Sequence, residues 1–245
     1  MTAPAIWQEV EFGSYGADLP LWVELAEAVG GPVAELGAGA GRVALHLAGH
    51  GHEVIAVERD PDLAAELERL ADVRNVSVSV VDADLASPRD LRLPARPTLA
   101  IGPLHVIQIV DAADRPPLLA RFRELMAPGG TLALTVVDES TLLSTGTAST
   151  QILPDMREVE GWVYSSEPLW VQVGEHSLTV RRLREQVSPG GRMERAIHDE
   201  ILHRVSPDAL EREADDAGFR AAGRRQITSG ENEADSTVVL LEAAE

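Results

Sequence analysis

The sequence predicts an α/β protein with a doubly wound, mostly parallel sheet, and three observations lead to that prediction. Strand and helix patterns alternate five times between residues 33 and 137, which is typical of a parallel sheet with helices on both faces. A glycine-rich loop directly follows the first strand. Residues 161–204 contain three runs rich in β-forming residues with no helix-length segment between them, which predicts an antiparallel β-meander beside the main sheet.

Apolar spacing and turn residues give the order of the elements. Each strand is a short apolar run, and each helix has apolar residues at three- and four-residue intervals. Asp60 before Pro61, and Ser206 before Pro207, each place an N-cap ahead of a proline at the first helical position. In chain order we predict a helix at 19–29, a strand at 33–36, a helix to about 48, a strand at 54–58, a helix from 61, strands at 76–81 and 98–101, a helix near 118–126, a strand at 131–137, the meander, a helix from 207, and strands at 219–227 and 237–241.

The loop after the first strand indicates an adenosine-cofactor site. Its three glycines, Gly37, Gly39 and Gly41, permit a sharp turn and a close approach of the backbone to a ligand. Glu58 follows Gly37 by 21 positions, about the spacing at which a carboxylate reaches a ribose hydroxyl in doubly wound folds. Dinucleotide sites prefer G-x-G-x-x-G, so the third glycine comes one residue early here. Glu35 would repel a pyrophosphate but suits a ligand that carries an ammonium and a sulfonium group.

This loop and the motifs that follow it, over residues 15 to 140, resemble the class I S-adenosylmethionine-dependent methyltransferases, in particular the bacterial enzymes that act on small molecules. The resemblance implies a seven-stranded sheet whose last strand runs antiparallel, with the meander inserted as a cap after strand five. It implies one domain over 1–245, divided into a helical lid segment at 1–31, a cofactor-binding core at 32–140, the cap at 156–205, and a last helix and two strands at 206–245. The implied cofactor is S-adenosylmethionine.

The resemblance also implies which residues bind the cofactor. Glu35 helps to hold its ammonium end, Glu58 takes the ribose hydroxyls, and Asp82 or Asp84 accepts a hydrogen bond from the adenine amine. Tyr15 resembles an aromatic residue in a segment that folds over the cofactor, although packing against the first helix explains it equally well. The whole set is Tyr15, Glu35, Gly37, Ala38, Gly39, Gly41, Glu58, Arg59, Asp82, Ala83, Asp84, Leu85 and Pro103.

Candidate acceptor-site residues lie after strand four and in the meander. His105 is at the mouth toward which the methyl group should point, so it is a candidate for a base or for orienting the acceptor; a packed or solvated histidine is the alternative. Trp162 and Tyr164 share one strand face, and His198 and Glu200 share another. These faces suit an acceptor pocket, and packing of the cap on the core explains them about as well.

Two further motifs point away from ligand chemistry. Arg42 follows the loop as it does in many methyltransferases, and we predict that it forms a structural ion pair rather than a ligand contact. Asp138 and Glu139 follow strand five, where an acid could orient an acceptor or hold a metal. The acid-asparagine pair of the metal-dependent O-methyltransferases is missing, so we predict no metal.

The net charge and the residue types that are absent disfavour several classes of binding partner and of chemistry. The 245 residues include 40 acids and 21 bases, for a net charge of -19, which would repel phosphate backbones and anionic membranes. Cysteine and lysine are both absent, which excludes disulfides, thiolate chemistry and a Schiff-base lysine. We therefore predict a bacterial, cytoplasmic enzyme for a small-molecule acceptor, with no nucleic-acid or membrane partner, and leave a homodimer open.

Three functions fit the sequence. The first is methyl transfer to an O or N atom of a small organic acceptor. The second is a protein that binds S-adenosylmethionine without transferring its methyl group, which uses the cofactor as a scaffold for another reaction or senses it as a ligand. The third is a nicotinamide-dependent oxidoreductase, which the early third glycine and Glu35 disfavour.

Overall fold

The computed structural model describes residues 1–139, 154–228 and 234–244. The strands are β1 (Val33–Leu36), β2 (Val54–Glu58), β3 (Val78–Asp82), β4 (Leu99–Gly102), β5 (Thr131–Val137), β6 (Asp155–Val159), β7 (Trp162–Val173), β8 (Ser177–Val187), β9 (Met193–His203), β10 (Phe219–Ile227) and β11 (Ser236–Ala243). Seven of them form the main sheet in the order β10-β11-β5-β4-β1-β2-β3, in which β11 runs antiparallel to both neighbours and the other pairs are parallel. The predicted seven-stranded, mostly parallel sheet is thus confirmed.

Helices cover both faces of this sheet. They are α1 (Ala3–Phe12), α2 (Leu19–Val29), α3 (Arg42–Gly49), α4 (Pro61–Arg74), α5 (Val106–Ile109), α6 (Arg115–Leu125) and α7 (Pro207–Asp216), with a 3₁₀ turn at Pro88–Asp90. On one face Trp22 and Leu67 pack against the inward residues of β1, β2 and β4, and on the other face Phe122 and Leu210 pack against the alternate residues. Both faces of the sheet are therefore buried, as expected for parallel strands that consist of continuous apolar runs.

Each helix among the described residues lacks either the length or the apolar character that crossing a membrane would require.

Local sequence patterns predicted the bounds of most helices and strands correctly. The bounds of β1, β2, β5, β10 and α2 are those predicted, and the Asp60 carboxylate accepts hydrogen bonds from the backbone of Asp62 and Leu63, as an N-cap should. β3 begins two residues later than predicted and β4 one residue later. The sequence predicted a helical segment at 1–31 without the bounds of α1, and it predicted neither α5 nor β6. Because of β6, the cap has four strands rather than the three predicted runs.

The cap is an antiparallel sheet in the order β6-β7-β8-β9. Its inner face is defined by Leu178 and Leu202, which are buried together with Val137 at the carboxyl end of β5. Directly paired residues share a face, and side chains alternate along a strand. The pairs Tyr164 with Gln186 and Arg182 with His198 therefore place both side chains of each pair on this inner face.

Helix α1 joins the cap to the main sheet. Its Glu11 is buried against the inner face of the cap, where Arg184 donates two hydrogen bonds to it at 2.7 Å and the Ser166 hydroxyl donates a third at 2.7 Å. Burial of Glu11 opposes its ionisation, but the hydrogen bonds from Arg184 and Ser166 outweigh it and lower the pKa of the carboxyl. Trp7 lies edge-on to Tyr164 with ring centres 5.4 Å apart. The lead of the chain is thus held on the cap by charge and by aromatic packing.

Candidate functional site

The loop between β1 and α3 is a tight turn whose glycines are required for two reasons. Gly37, Gly39 and Gly41 all have positive φ, at 63°, 58° and 93°, a region that side chains disfavour. A Cβ on Gly37 would lie 2.6 Å from Val106 Cγ2, and a Cβ on Gly41 would lie 2.8 Å from Leu67 Cγ. At these two positions the missing Cβ also makes room for protein side chains. At Gly39 the open side of the turn faces the N-terminal helix.

Glu58 fixes this loop to the end of β2. One carboxylate oxygen accepts a hydrogen bond from the backbone N–H of Gly39 at 2.7 Å, and the other accepts from the N–H groups of Arg59 and Asp60, each at 2.9 Å. Glu58 is buried. Oε1 thus accepts two hydrogen bonds and Oε2 only one, so the backbone orients the side chain and Oε2 keeps a lone pair that can accept from a ligand hydroxyl.

Glu35 is an almost fully buried acidic residue at the site. Its side chain is 3 % exposed, and its Oε2 has no hydrogen-bond partner among the described residues. Burial raises the pKa of this carboxyl to about 8, against the opposing effect of the Arg42 charge. A buried acid with an orphaned oxygen is costly unless a cationic partner joins it. The arrangement fits a ligand that brings an ammonium group.

A cavity of about 260 Å³ lies over the glycine loop, and we call it the loop cavity. Five residues of the predicted cofactor set line it, namely Tyr15, Glu35, Gly37, Ala38 and Pro103. It lies beyond the carboxyl ends of β1 and β4, the place where open parallel sheets bind ligands. The structure therefore brings five of the thirteen predicted cofactor residues together at one cavity.

Gln8 of α1 lies directly on the glycine loop, and sequence reasoning missed it. The Ala40 N–H donates a hydrogen bond to Gln8 Oε1 at 2.5 Å, and a Cβ on Gly39 would lie 2.1 Å from Gln8 Nε2. Protein atoms thus satisfy a loop N–H that a ligand would otherwise use. No local pattern marks this contact, because it joins residues 32 positions apart through a helix that was not predicted.

Arg42 forms a buried ion pair behind the loop. Its guanidinium donates to both carboxylate oxygens of Asp18 at 2.7 Å and to the Tyr15 carbonyl at 3.0 Å. The Trp22 indole N–H donates to the same carboxylate at 2.8 Å, and the guanidinium carbon lies 5.1 Å from the centre of the Tyr15 ring. Arg42 therefore makes the structural ion pair that was predicted and holds Tyr15 at the wall of the loop cavity.

The residues predicted to surround adenine lie beside Glu58 at the end of β3. Asp82 pairs with Glu58 in the parallel register and is exposed, and the Ala83 N–H donates to the Glu58 carbonyl at 3.3 Å. Asp84 instead accepts from the Ala86 N–H at 3.0 Å, which closes a local turn, and lies 3.4 Å from an exposed Arg59 nitrogen. Leu85 is buried in the core. Of the two candidate acids, Asp82 is the one whose carboxylate is not committed to a turn.

His105 stands on strained backbone at the end of β4. It and the preceding Leu104 both have positive φ, at 61° and 47°, which is uncommon for residues other than glycine and concentrates at functional sites. His105 Nε2 lies 2.7 Å from Ser236 Oγ. Burial lowers the pKa of the imidazole to about 4, so the ring is neutral near pH 7. The neutral ring can form a hydrogen bond with a ligand, but it binds a proton only weakly at neutral pH.

The cap residues that were predicted for the acceptor share one surface. Cross-strand register places Trp162, Tyr164 and His198 all on the inner face. The Trp162 and Tyr164 rings are stacked with centres 6.4 Å apart, at an angle of 27°. Burial lowers the pKa of His198, and the nearby charge of Arg184 lowers it further. The cap thus turns aromatic and polar groups toward the main sheet.

A second cavity, of about 680 Å³, lies between the end of β5, the cap and α7. Its charged walls are already paired: Arg204 donates to both oxygens of Glu139 at 2.9 and 2.8 Å, and Arg115 pairs with Glu213 at 2.9 Å. Within the described parts of the chain, no group of three or more His, Cys, Asp or Glu side chains could hold a metal ion.

Comparisons with known proteins agree on one type of domain. Residues 33–130 match the family model described as Methyltransferase domain. Among solved structures, the chain is similar to the CcbJ methyltransferase from Streptomyces caelestis, with 21% identity over 95% of this chain and 98% of that one and a TM-score of 0.68. None of the curated proteins matches the chain by sequence.

Two further solved structures share the whole fold. CalS10, described as an amino pentose methyltransferase from Micromonospora echinaspora with bound S-adenosylmethionine, is 13% identical over 100% of this chain and 98% of that one, with a TM-score of 0.71. The sugar N-methyltransferase KedS8 from Streptoalloteichus sp ATCC 53650 is 16% identical over 98% of this chain and 92% of that one, with a TM-score of 0.74. These similarities extend over the cap as well as over the main sheet.

Proposed function

We propose that this chain, whose residues 33–130 match the methyltransferase domain model, is an S-adenosylmethionine-dependent methyltransferase that transfers the methyl group to an O or N atom of a small organic acceptor. The single observation that supports the site assignment best is the buried carboxylate of Glu35 at the loop cavity, whose Oε2 has no partner among the described residues. CalS10 and KedS8, by their descriptions, methylate sugars, and one of them an amine, so a sugar-bearing small molecule is the acceptor that we favour.

We propose the following cofactor contacts. Glu35 receives the ammonium group, the glycine loop approaches the methionine part, and Glu58 accepts from the ribose hydroxyls. Asp82 accepts from the adenine amine, with Ala83 and Leu85 beside the ring. S-adenosylmethionine supplies, when bound, an electrophilic methyl group whose bonding electrons remain on sulfur. Because methyl transfer is an in-line displacement, the protein has chiefly to align the acceptor and to exclude water.

Helix α1 would control access to this site. Gln8 occupies the turn in the present conformation, so cofactor binding requires its side chain to leave the Ala40 N–H. The same helix is held to the cap through Glu11, which gives it a fixed point from which only the Gln8 side chain has to move. With Tyr15 at the cavity wall, the fixed helix would cover the bound cofactor and exclude water.

His105 would orient the acceptor rather than deprotonate it. Its ring is neutral because burial lowers its pKa to about 4, and an efficient general base has a pKa near the working pH. Ser236 fixes the ring through Nε2. The strained backbone at residues 104–105 directs this side chain past the end of β4, where the resemblance places the reactive methyl group. Any proton that the acceptor has to lose would therefore go to a group other than His105.

Calorimetry and label transfer together test the proposal. We expect S-adenosylhomocysteine to bind the wild-type protein, and Glu58→Gln, which retains one carbonyl oxygen, to bind it at least tenfold more weakly. Tritiated S-adenosylmethionine with a panel of sugars and amino sugars should label at least one acceptor. Tight binding without any labelling would favour a protein that only binds the cofactor. Saturable binding of a reduced nicotinamide dinucleotide in place of S-adenosylhomocysteine would contradict the assignment.

A further inference from the structure

The inner face of the cap carries several charges, most of which are paired. Glu11 takes hydrogen bonds from Arg184 and Ser166, and lies 3.5 Å from Arg182. Arg182 in turn donates to Asp155 on β6. The two guanidinium groups therefore have carboxylate partners of their own.

Glu200 is the exception on this face. It pairs in register with Val180, two positions from His198 and from Leu202, so its side chain is on the inner face with theirs. It is half-buried and has no hydrogen bond or ion pair within the described parts of the chain. Burial raises the pKa of its carboxyl, and the negative charge of Glu11 raises it further, while Arg182 and Arg184 oppose this at a distance. Among the residues that the structure describes, Glu200 is thus a partly desolvated carboxylate without a hydrogen-bonding or ion-pair partner.

Glu200 lies on the part of the cap that packs against the carboxyl end of β5. Leu202, two residues along β9, is buried against Val137 at the end of β5. Val137 pairs in register with Ser236, whose hydroxyl lies 2.7 Å from His105. Glu200 therefore lies two residues along β9 from Leu202, which makes the contact between the cap and the carboxyl end of β5. His105 is hydrogen-bonded to Ser236 beside that end of β5.

The charge balance of this face favours a cation. Three carboxylates, those of Glu11, Asp155 and Glu200, face the guanidinium groups of Arg182 and Arg184. His198 adds no positive charge near neutral pH, because burial and Arg184 lower its pKa. Arg157 and Glu194, which the register also places on this face, are paired with Glu9 and Arg192. Among Glu200 and the four side chains around it, one negative charge is left over, and it belongs to Glu200 itself.

We propose that Glu200 binds the ammonium group of the acceptor, which makes a small amine the acceptor class of this methyltransferase. The inference rests on the proposed function. An ammonium nitrogen has no lone pair, so it must lose a proton before it can accept a methyl group. Glu200 can take that proton: the N–H electrons remain on nitrogen as the lone pair, and the proton ends on a carboxylate oxygen. His105, which stays neutral, would orient the amine that results.

A matched pair of probes tests this assignment without turnover. D-Glucosamine and D-glucose differ at one position, where the first carries an ammonium group and the second a hydroxyl. With S-adenosylhomocysteine bound, we expect saturation-transfer NMR titrations at pH 7 to show at least tenfold tighter binding of glucosamine. In Glu200→Gln the preference should fall to twofold or less, with binding of glucose unchanged. Glu194→Gln, which changes an exposed carboxylate on the same strand, should keep the preference.

The pH dependence separates a charge contact from a merely structural role. Because the pKa of Glu200 is raised above 4.5, acidification should abolish the preference with a midpoint above that value, and Glu200→Gln should show no such midpoint. Equal binding of the two sugars by the wild-type protein, including no binding of either, overturns the inference, as does a preference that survives in Glu200→Gln. Failure to bind S-adenosylhomocysteine would instead overturn the proposed function.

Discussion

Glu35 provides a prediction that can be worked out in numbers. The pKa of its carboxyl is raised to about 8 because it is buried, with Arg42 opposing the shift and Asp18 and Glu58 adding to it. A group with this pKa is about nine-tenths protonated at pH 7. An ammonium group placed beside it favours the ionised form, so the cofactor should expel the proton. We therefore expect binding to release about 0.9 protons at pH 7 and its affinity to rise nearly tenfold per pH unit up to pH 8.

Calorimetry in buffers of different ionisation enthalpy measures the released protons directly. The wild-type protein should release about 0.9 protons on binding S-adenosylhomocysteine at pH 7, and Glu35→Gln should release none and lose the pH dependence. Glu66→Gln is a matched control: Glu66 lines the same cavity, but the Arg69 hydrogen bond lowers its pKa, so it holds no proton at pH 7 to release. Proton release below about 0.2 in the wild-type protein would refute the pairing of Glu35 with the ammonium group.

The raised pKa of Glu35 also predicts how the free energy of unfolding depends on pH. A carboxyl whose folded pKa is above its unfolded value of 4.5 stabilises the fold below 4.5, and this contribution is lost as the pH rises to about 8. A shift of this size corresponds to about 5 kcal/mol at most. Without cofactor, the free energy of unfolding of the wild-type protein should therefore fall between pH 5 and pH 9, and Glu35→Gln should show a much smaller fall. A wild-type profile as flat as that of the variant would contradict the buried-acid description.

Three further variants test the surroundings of the site. Gln8→Ala should tighten S-adenosylhomocysteine binding about fivefold in calorimetry, because about 1 kcal/mol of hydrogen bond to Ala40 no longer has to be broken; weaker binding would show that Gln8 contacts the cofactor. Asp18→Asn should cost about 3 kcal/mol in urea unfolding, because it leaves Arg42 buried without its partner, and an unchanged midpoint would deny the ion pair a structural role. His105→Asn should remove an acid instability of up to about 3 kcal/mol between pH 6.5 and pH 4: the folded pKa is about 4, so the unfolded chain binds the proton in that window; identical acid unfolding of the variant and the wild-type protein would be the contrary result.

The sheet was predictable because its signals are local. β1, β2 and β5 are runs of apolar residues buried on both faces, and Asp60 followed by proline marks the start of α4 without reference to the rest of the chain. The spacing of Glu35, the glycines and Glu58 is likewise a short-range pattern. Those residues meet because successive parallel strands end at the same edge of the sheet.

The contacts that were missed join distant parts of the chain. Gln8 reaches the loop across 32 positions, Glu11 meets Arg184 across 173, and His105 meets Ser236 across 131. No periodicity in the sequence encodes such pairs. The burial that gives Glu35 and His105 their shifted pKa values is also a property of the assembled fold, and so the sequence could name these residues but not their ionisation states.

The most direct test of the central claim is a crystal structure of the complex with S-adenosylhomocysteine. We predict the ammonium group beside Glu35, the ribose hydroxyls at Glu58, and the Gln8 side chain withdrawn from the Ala40 N–H. The account would be contradicted by a ligand bound away from the glycine loop, or by a Gln8 side chain that still occupies the turn while the ligand is bound.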